Sequence, residues 1–127
     1  PVLAHPERIE AFQKRPELLY TFVERGMLTQ ITAGSVLGHF GGNVRRLTHD
    51  LLRGGLVHLL ASDAHFPNGS RSPQLPPGVE ATAVIVGPDK AKAMVVDMPQ
   101  AIVEDMPVEV EVPSQPVSVR RWWRPWG

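Results

Sequence analysis

The chain is expected to be an α/β protein built on parallel strands, and three observations predict it. Apolar runs alternate with helix-patterned segments in the order strand, helix, strand, helix, strand, which calls for right-handed crossovers and a parallel sheet or barrel. The run LVHLLA at 56–61 is short and apolar on both faces, as strands inside parallel sheets are. Two apolar runs also stop abruptly at polar residues, at His5 and at Asp63-Ala64-His65. These are C-terminal strand ends, where α/β proteins build their sites.

Residues 1–4 read as a short buried strand. Pro6 suits a first helical turn, so PERIEAFQK forms a short helix with Glu7 near its positive end. RPELLYTFVERG restarts the helix at Pro16, places Leu18, Leu19, Phe22 and Val23 on one face, and stops at Gly26. MLTQIT is the second strand, and the glycine-rich AGSVLGHFGG that follows reads as a loop. NVRRLTHDLLRGG is a helix with Val44, Leu47, Leu51 and Leu52 inward. Beyond residue 66 the composition changes, because ten of the thirteen prolines lie in the remaining 61 residues. FPNGSRSPQLPPG is expected as a long loop, 87–106 as one or two helices broken near Pro99, and 107 onward as an edge-like alternation. The expected organisation is a folded unit over 1–106 and a flexible, proline-rich, basic and aromatic tail over 107–127.

The 127 residues suffice for one domain with a real core, at 43% hydrophobic and 20% charged. Thirteen basic and thirteen acidic side chains balance, so no global field recruits nucleic acid or an anionic membrane. The absence of cysteine excludes disulfides, thiolate metal sites and cysteine nucleophiles. No apolar run is long enough to span a bilayer and no signal-peptide pattern occurs, so the cytoplasm is the expected compartment.

In an extended segment Asp63 and His65 share one side. A carboxylate and an imidazole converging this way make half of a metal site, to which His5 adds a third donor. Nitrogen and oxygen donors without sulfur suit manganese, iron or zinc. Against this stands ordinary loop capping by Asp-x-His. Arg8 and Arg71 follow the two elements, and a guanidinium beside a metal suits a phosphate; a solvated surface role is the alternative.

These residues carry a resemblance. AHPER, QITAGSVLGHFG and LLASDAH followed by an arginine resemble, in order and spacing, the PHP-type bacterial tyrosine-protein phosphatases of capsular and exopolysaccharide operons, from about residue 2 to about 106. The resemblance implies the C-terminal part of a distorted (β/α)7 barrel and a cluster of divalent ions, usually manganese. It implies phosphotyrosine hydrolysis by metal-activated water, with a polysaccharide-export autokinase as target. Carried over, it makes His5, Asp63 and His65 metal ligands, Arg8 a phosphate-binding residue, and Arg71 a looser phosphate-binding match. The family's His-x-His motif, another histidine and its bridging glutamates have no counterpart here. With Pro1 opening straight into a strand, the expectation is a C-terminal portion that is inactive alone. A PHP-type phosphatase of small phosphomonoesters and a non-catalytic interaction module are the competing readings, and homo-oligomerisation stays open.

Other histidines read differently: His39 as a solvated loop residue, His49 as surface, His58 as a packed core residue. Gly34, Gly38, Gly41 and Gly42 are expected to permit tight turns, and Ser35 and Ser62 lack a nucleophile-elbow context. At the end, Arg120, Arg121 and Arg124 alternate with Trp122, Trp123 and Trp126. This segment is expected to be disordered or to pack on its own barrel, with weak membrane-surface contact as the alternative.

Overall fold

The computed structural model describes residues 1–69 and 72–114. Arg71 and the Arg120, Trp122, Trp123 and Trp126 segment lie outside the described residues. Three strands form one parallel sheet in the order β1 (Val2–Ala4), β2 (Leu28–Thr32), β3 (Leu59–Ala61). Gln30 of β2 pairs with Ala4 on one side and Leu59 on the other. The ladder continues past β1, since the His5 N–H donates to the Gln30 carbonyl at 2.7 Å. Both polar strand ends therefore leave the same edge of the sheet.

β2 is the central strand and is buried on both faces, Thr29 and Ile31 on one and Leu28 and Thr32 on the other. β1 departs from expectation: it lies at the edge of this sheet and Val2 is 42% exposed, so its apolar residues are only half covered. The third strand is shorter than the run LVHLLA, beginning after His58.

A 3₁₀ turn (Pro6–Arg8) precedes α1 (Glu10–Lys14), and α2 (Glu17–Glu24) buries Leu19 and Val23 one turn apart. Gly26 closes α2 at φ 86°, a region that glycine enters without a Cβ penalty. The segment read as a glycine-rich loop instead holds a short buried helix, α3 (Ala33–Leu37), capped by Gly38 at φ 91°. Its Gly34 serves packing, for an added Cβ would sit 3.0 Å from Phe40 Cε2. α4 (Gly42–Arg53) follows and buries Thr48, Leu51 and Leu52.

The expected loop over 66–78 also yields in part to helix. α5 runs Leu75–Val86, with its prolines in the first turn, where a missing N–H costs nothing. Gly78 lets it approach α3, because a Cβ there would lie 2.5 Å from the Ala33 Cβ. The closing helices are two, α6 (Pro88–Val95) and α7 (Asp97–Val103). They break at Val96, and Pro99 falls in the first turn of α7, where it is tolerated.

No strand forms between Pro107 and Pro113. That segment returns to the fold, with Val110 against the core and the Tyr20 hydroxyl donating to the Pro113 carbonyl at 3.2 Å. Leu19, Val23, Ile31, Val36, Leu52, Leu56 and Met94 form the centre of the core between the sheet and its helices. Among the described residues no helix is long and apolar enough to cross a membrane.

Candidate metal and phosphate site

The two polar strand ends adopt unusual backbone. His5 sits at φ 37° and Asp63 at φ 49°, left-handed conformations that cost a non-glycine residue about 1–3 kcal/mol. The extended geometry expected for Asp63 is thus absent, since β3 has already ended at Ala61. The chain turns at Asp63, and the turn still brings its Oδ1 to 3.4 Å from His65 Nε2.

Arg8 binds the other carboxylate oxygen, Nη1 to Oδ2 at 2.7 Å, with both side chains 24% exposed. The sequence reading put Asp63 on a metal and Arg8 on a phosphate; the structure joins them across 55 residues of chain. Burial alone pushes the Asp63 carboxyl up. The Arg8 hydrogen bond and the charges of His65, Arg8 and His5 outweigh it and hold the group below the ordinary aspartate value. Asp63 is therefore ionised over the whole physiological range.

Phe40 completes the seat of Arg8, with its ring centroid 4.2 Å from the guanidinium Cζ. This cation–π contact was not read from the sequence, because GHFG looked like loop. The available signal was one aromatic among glycines beside a predicted strand end. Held on one side by a carboxylate and on one face by a ring, the guanidinium loses little freedom when it grips an anion.

Glu7 was also missed. It was assigned to a helix start, yet its side chain is completely buried. Its Oε1 accepts the Thr32 N–H at 3.0 Å and the Ser35 hydroxyl at 2.7 Å, tying the 3₁₀ turn to the end of β2 and the start of α3. Burial raises its pKa above the ordinary glutamate value, and the Thr32 and Ser35 bonds offset this only in part. Its neighbours on the chain, His5 and Arg8, are positioned by this clasp. Gln13 supports it by donating its Nε2–H to the Glu7 carbonyl at 2.9 Å. Ser35 thus acts as a structural donor.

His5 carries a buried Nδ1 without a hydrogen-bond partner. A buried imidazole nitrogen left unpaired is costly unless something occupies it, which makes His5 a fitting donor for a cation. Among the described residues no three His, Cys, Asp or Glu side chains are arranged together to hold a metal ion. Asp63 and His65 adjoin, and His5 acts on Asp63 through its charge without joining one compact donor set with them. The donor chemistry fits a divalent ion, while three donors fall short of the four to six such an ion takes.

The remaining histidines are structural. His58 is half-buried, its Nδ1 accepts the Thr29 N–H at 3.0 Å, and burial lowers its basicity. His49, expected at the surface, is half-buried with Nε2 3.0 Å from the Val36 carbonyl. His39 differs from these two: it is exposed, as its solvated reading expects, with its ring beside Gly34.

A parallel sheet with imidazole, carboxylate and guanidinium gathered at its strand ends defines an α/β protein with a candidate polar site at one edge of the sheet. The capsular polysaccharide synthesis family CpsB/CapC matches residues 1–104, and the chain belongs to that family. It is 46% identical over 65 residues to the tyrosine-protein phosphatase YwqE of Bacillus subtilis (strain 168), covering 51% of this chain and 26% of YwqE. To the tyrosine-protein phosphatase CpsB of Streptococcus pneumoniae it is 31% identical over 110 residues, 83% of this chain and 45% of CpsB.

A solved chain superposes with a TM-score of 0.84 at 30% identity, over 93% of this chain and 47% of that one. It comes from the crystal structures of YwqE and CpsB, described as unique metal-dependent tyrosine phosphatases. The chain spans about half the length of these relatives, or less.

Proposed function

We propose that the chain forms part of a metal-dependent protein-tyrosine phosphatase, contributing three strands of a distorted (β/α)7 barrel and one side of its active site. The observation that carries this reading is the guanidinium of Arg8, held between Asp63 and Phe40 at the strand ends. Arg8 binds the phosphoryl oxygens and offsets their charge through planar, paired donors. Asp63 fixes the guanidinium, and the Glu7 clasp keeps the turn bearing His5 and Arg8 in place. His5, Asp63 and His65 would hold a divalent ion, manganese on this reading with iron or zinc as alternatives. When bound, it supplies an activated water and charge neutralisation for phosphate ester hydrolysis. Arg71 is assigned a second phosphate contact.

The substrate on this reading is a phosphotyrosyl protein, a membrane-associated autokinase of polysaccharide export, met in the cytoplasm. The test, made on the longer protein of which this chain is proposed to form part, is phosphate release from a phosphotyrosyl peptide and from small phosphomonoesters with and without manganese. Preference for the peptide supports the reading, and preference for a small ester shifts it to a small-molecule phosphatase. With only three donors, residues 1–127 by themselves are expected to turn over no measurable p-nitrophenyl phosphate. Manganese-dependent turnover by this chain alone would refute that statement.

A further inference from the structure

The outward face of α4 carries a second concavity that the strand-end site does not use. Gly42, Arg45, Arg46, His49, Asp50 and Arg53 line a groove of about 330 Å³. Their spacing of three and four residues puts them on one side of the helix, opposite the buried Thr48, Leu51 and Leu52. Three arginines and a histidine meet one carboxylate there, and Asp50 lies 3.5 Å from Arg53. The groove is therefore positive, in a chain whose overall charge is zero.

Two of these side chains are seated on α3. The stem of Arg45 crosses Gly38, where an added Cβ would lie 3.1 Å from Arg45 Cδ, and His49 Nε2 is 3.0 Å from the Val36 carbonyl. Seating them in advance lowers the entropy lost when a ligand binds.

The shape narrows the ligand. From Gly42 to Arg53 the helix rises about 16 Å at ~1.5 Å per residue. An extended peptide covers that length with about five residues at ~3.3 Å each. Cations spread along a line suit a row of carboxylates better than one compact phosphate, on which donors would converge. The groove also ends beside the strand-end site, because Gly42 is two residues from Phe40, whose ring carries Arg8.

We infer that the α4 groove docks an acidic peptide segment flanking the phosphotyrosine of a protein substrate, its carboxylates on Arg45, Arg46 and Arg53 and its phosphoryl group at Arg8. The position of the phosphotyrosine rests on the phosphatase reading; the docking of the acidic segment does not.

The test is fluorescence anisotropy on the full chain with a labelled Glu-rich peptide, made with and without a central phosphotyrosine. A Ser-rich peptide of equal length and an oligonucleotide of equal charge serve as comparisons. The Glu-rich peptide binds in both forms, more weakly as salt rises, and the Ser-rich peptide does not. The double variant Arg45→Glu, Arg46→Glu loses about tenfold or more in affinity, as two reversed ion pairs of modest strength require. Arg45→Lys, Arg46→Lys retains most of it, and far-UV circular dichroism shows both variants folded. Equal binding by the charge-reversed and parent chains overturns the inference, as does binding of the oligonucleotide as tightly as the peptide. If the Glu-rich peptide binds but phosphotyrosine adds nothing, and Arg8→Ala leaves binding unchanged, the docking groove stands and the phosphatase reading fails.

Discussion

Replacing Glu7 tests whether a buried carboxylate organises the strand ends. In Glu7→Ala the Thr32 N–H and Ser35 hydroxyl lose their acceptor in a place that water does not reach. Hydrogen bonds to a charged acceptor contribute about 1.5–3 kcal/mol each, so the two together amount to roughly 3–6 kcal/mol. Removing a desolvated charge returns part of this, leaving an expected loss of about 2–4 kcal/mol. Glu7→Gln keeps the oxygen acceptor and removes the charge, placing an amide where Oε2 has no partner. Its stability at neutral pH is expected within about 1 kcal/mol of the parent. The pH dependence follows from the raised pKa, since between the unfolded value of 4.5 and the higher folded value the folded state holds more protons. The parent therefore loses stability relative to Glu7→Gln as pH rises through that window, and the difference is constant above it. Urea unfolding followed by far-UV circular dichroism measures both quantities. An unchanged Glu7→Ala midpoint, or a parent that gains on Glu7→Gln with rising pH, would falsify the clasp.

Three further outcomes are expected. Phe40→Leu removes a cation–π contact of about 0.5–1 kcal/mol and should weaken phosphotyrosine binding by about two- to fivefold, read by calorimetry; an unchanged affinity removes Phe40 from the site. Gly78→Ala forces a Cβ to 2.5 Å from Ala33 and should lower stability by about 1–3 kcal/mol despite the better helix propensity of alanine; a raised melting temperature would contradict the close approach of α5 to α3. His58 has a basicity lowered by burial, so its contribution is present above its unfolded value of 6.5 and is lost as pH falls through the folded one. His58→Gln should flatten the pH dependence of stability there, and an identical slope in parent and variant would show that His58 does not carry it.

The succession of strands and helices along the chain and the polar strand ends were legible because both rest on local signals, a short apolar run and the residue type that ends it. β2 shows this well, since LTQIT is apolar enough to be central and stops where Thr32 meets Glu7. Two helices were hidden by glycine and proline, whose ordinary meaning is a turn. In α3 and α5 these residues act through packing and position: Gly34 accommodates Phe40, Gly78 accommodates Ala33, and the prolines occupy a first turn. Arg8, Asp63 and His65 stand out in the sequence as candidates by residue type and position, but their geometry does not. Asp63 joins His65 through a left-handed turn and not an extended segment, and nothing local in SDAH announces a partner 55 residues away. Glu7 was overlooked for the same reason, because its partners Thr32 and Ser35 belong to a strand and a helix that only the fold brings near.

On the proposed reading, the strand ends of this chain supply donors to a divalent ion beside a phosphate-gripping arginine. Titration of manganese into the chain, followed by calorimetry, tests it most directly. Binding is expected for the parent and is expected to weaken by about tenfold or more in each of His5→Ala, Asp63→Asn and His65→Ala, since each removes one of few donors. Manganese affinity that is the same in the parent and all three variants would contradict it.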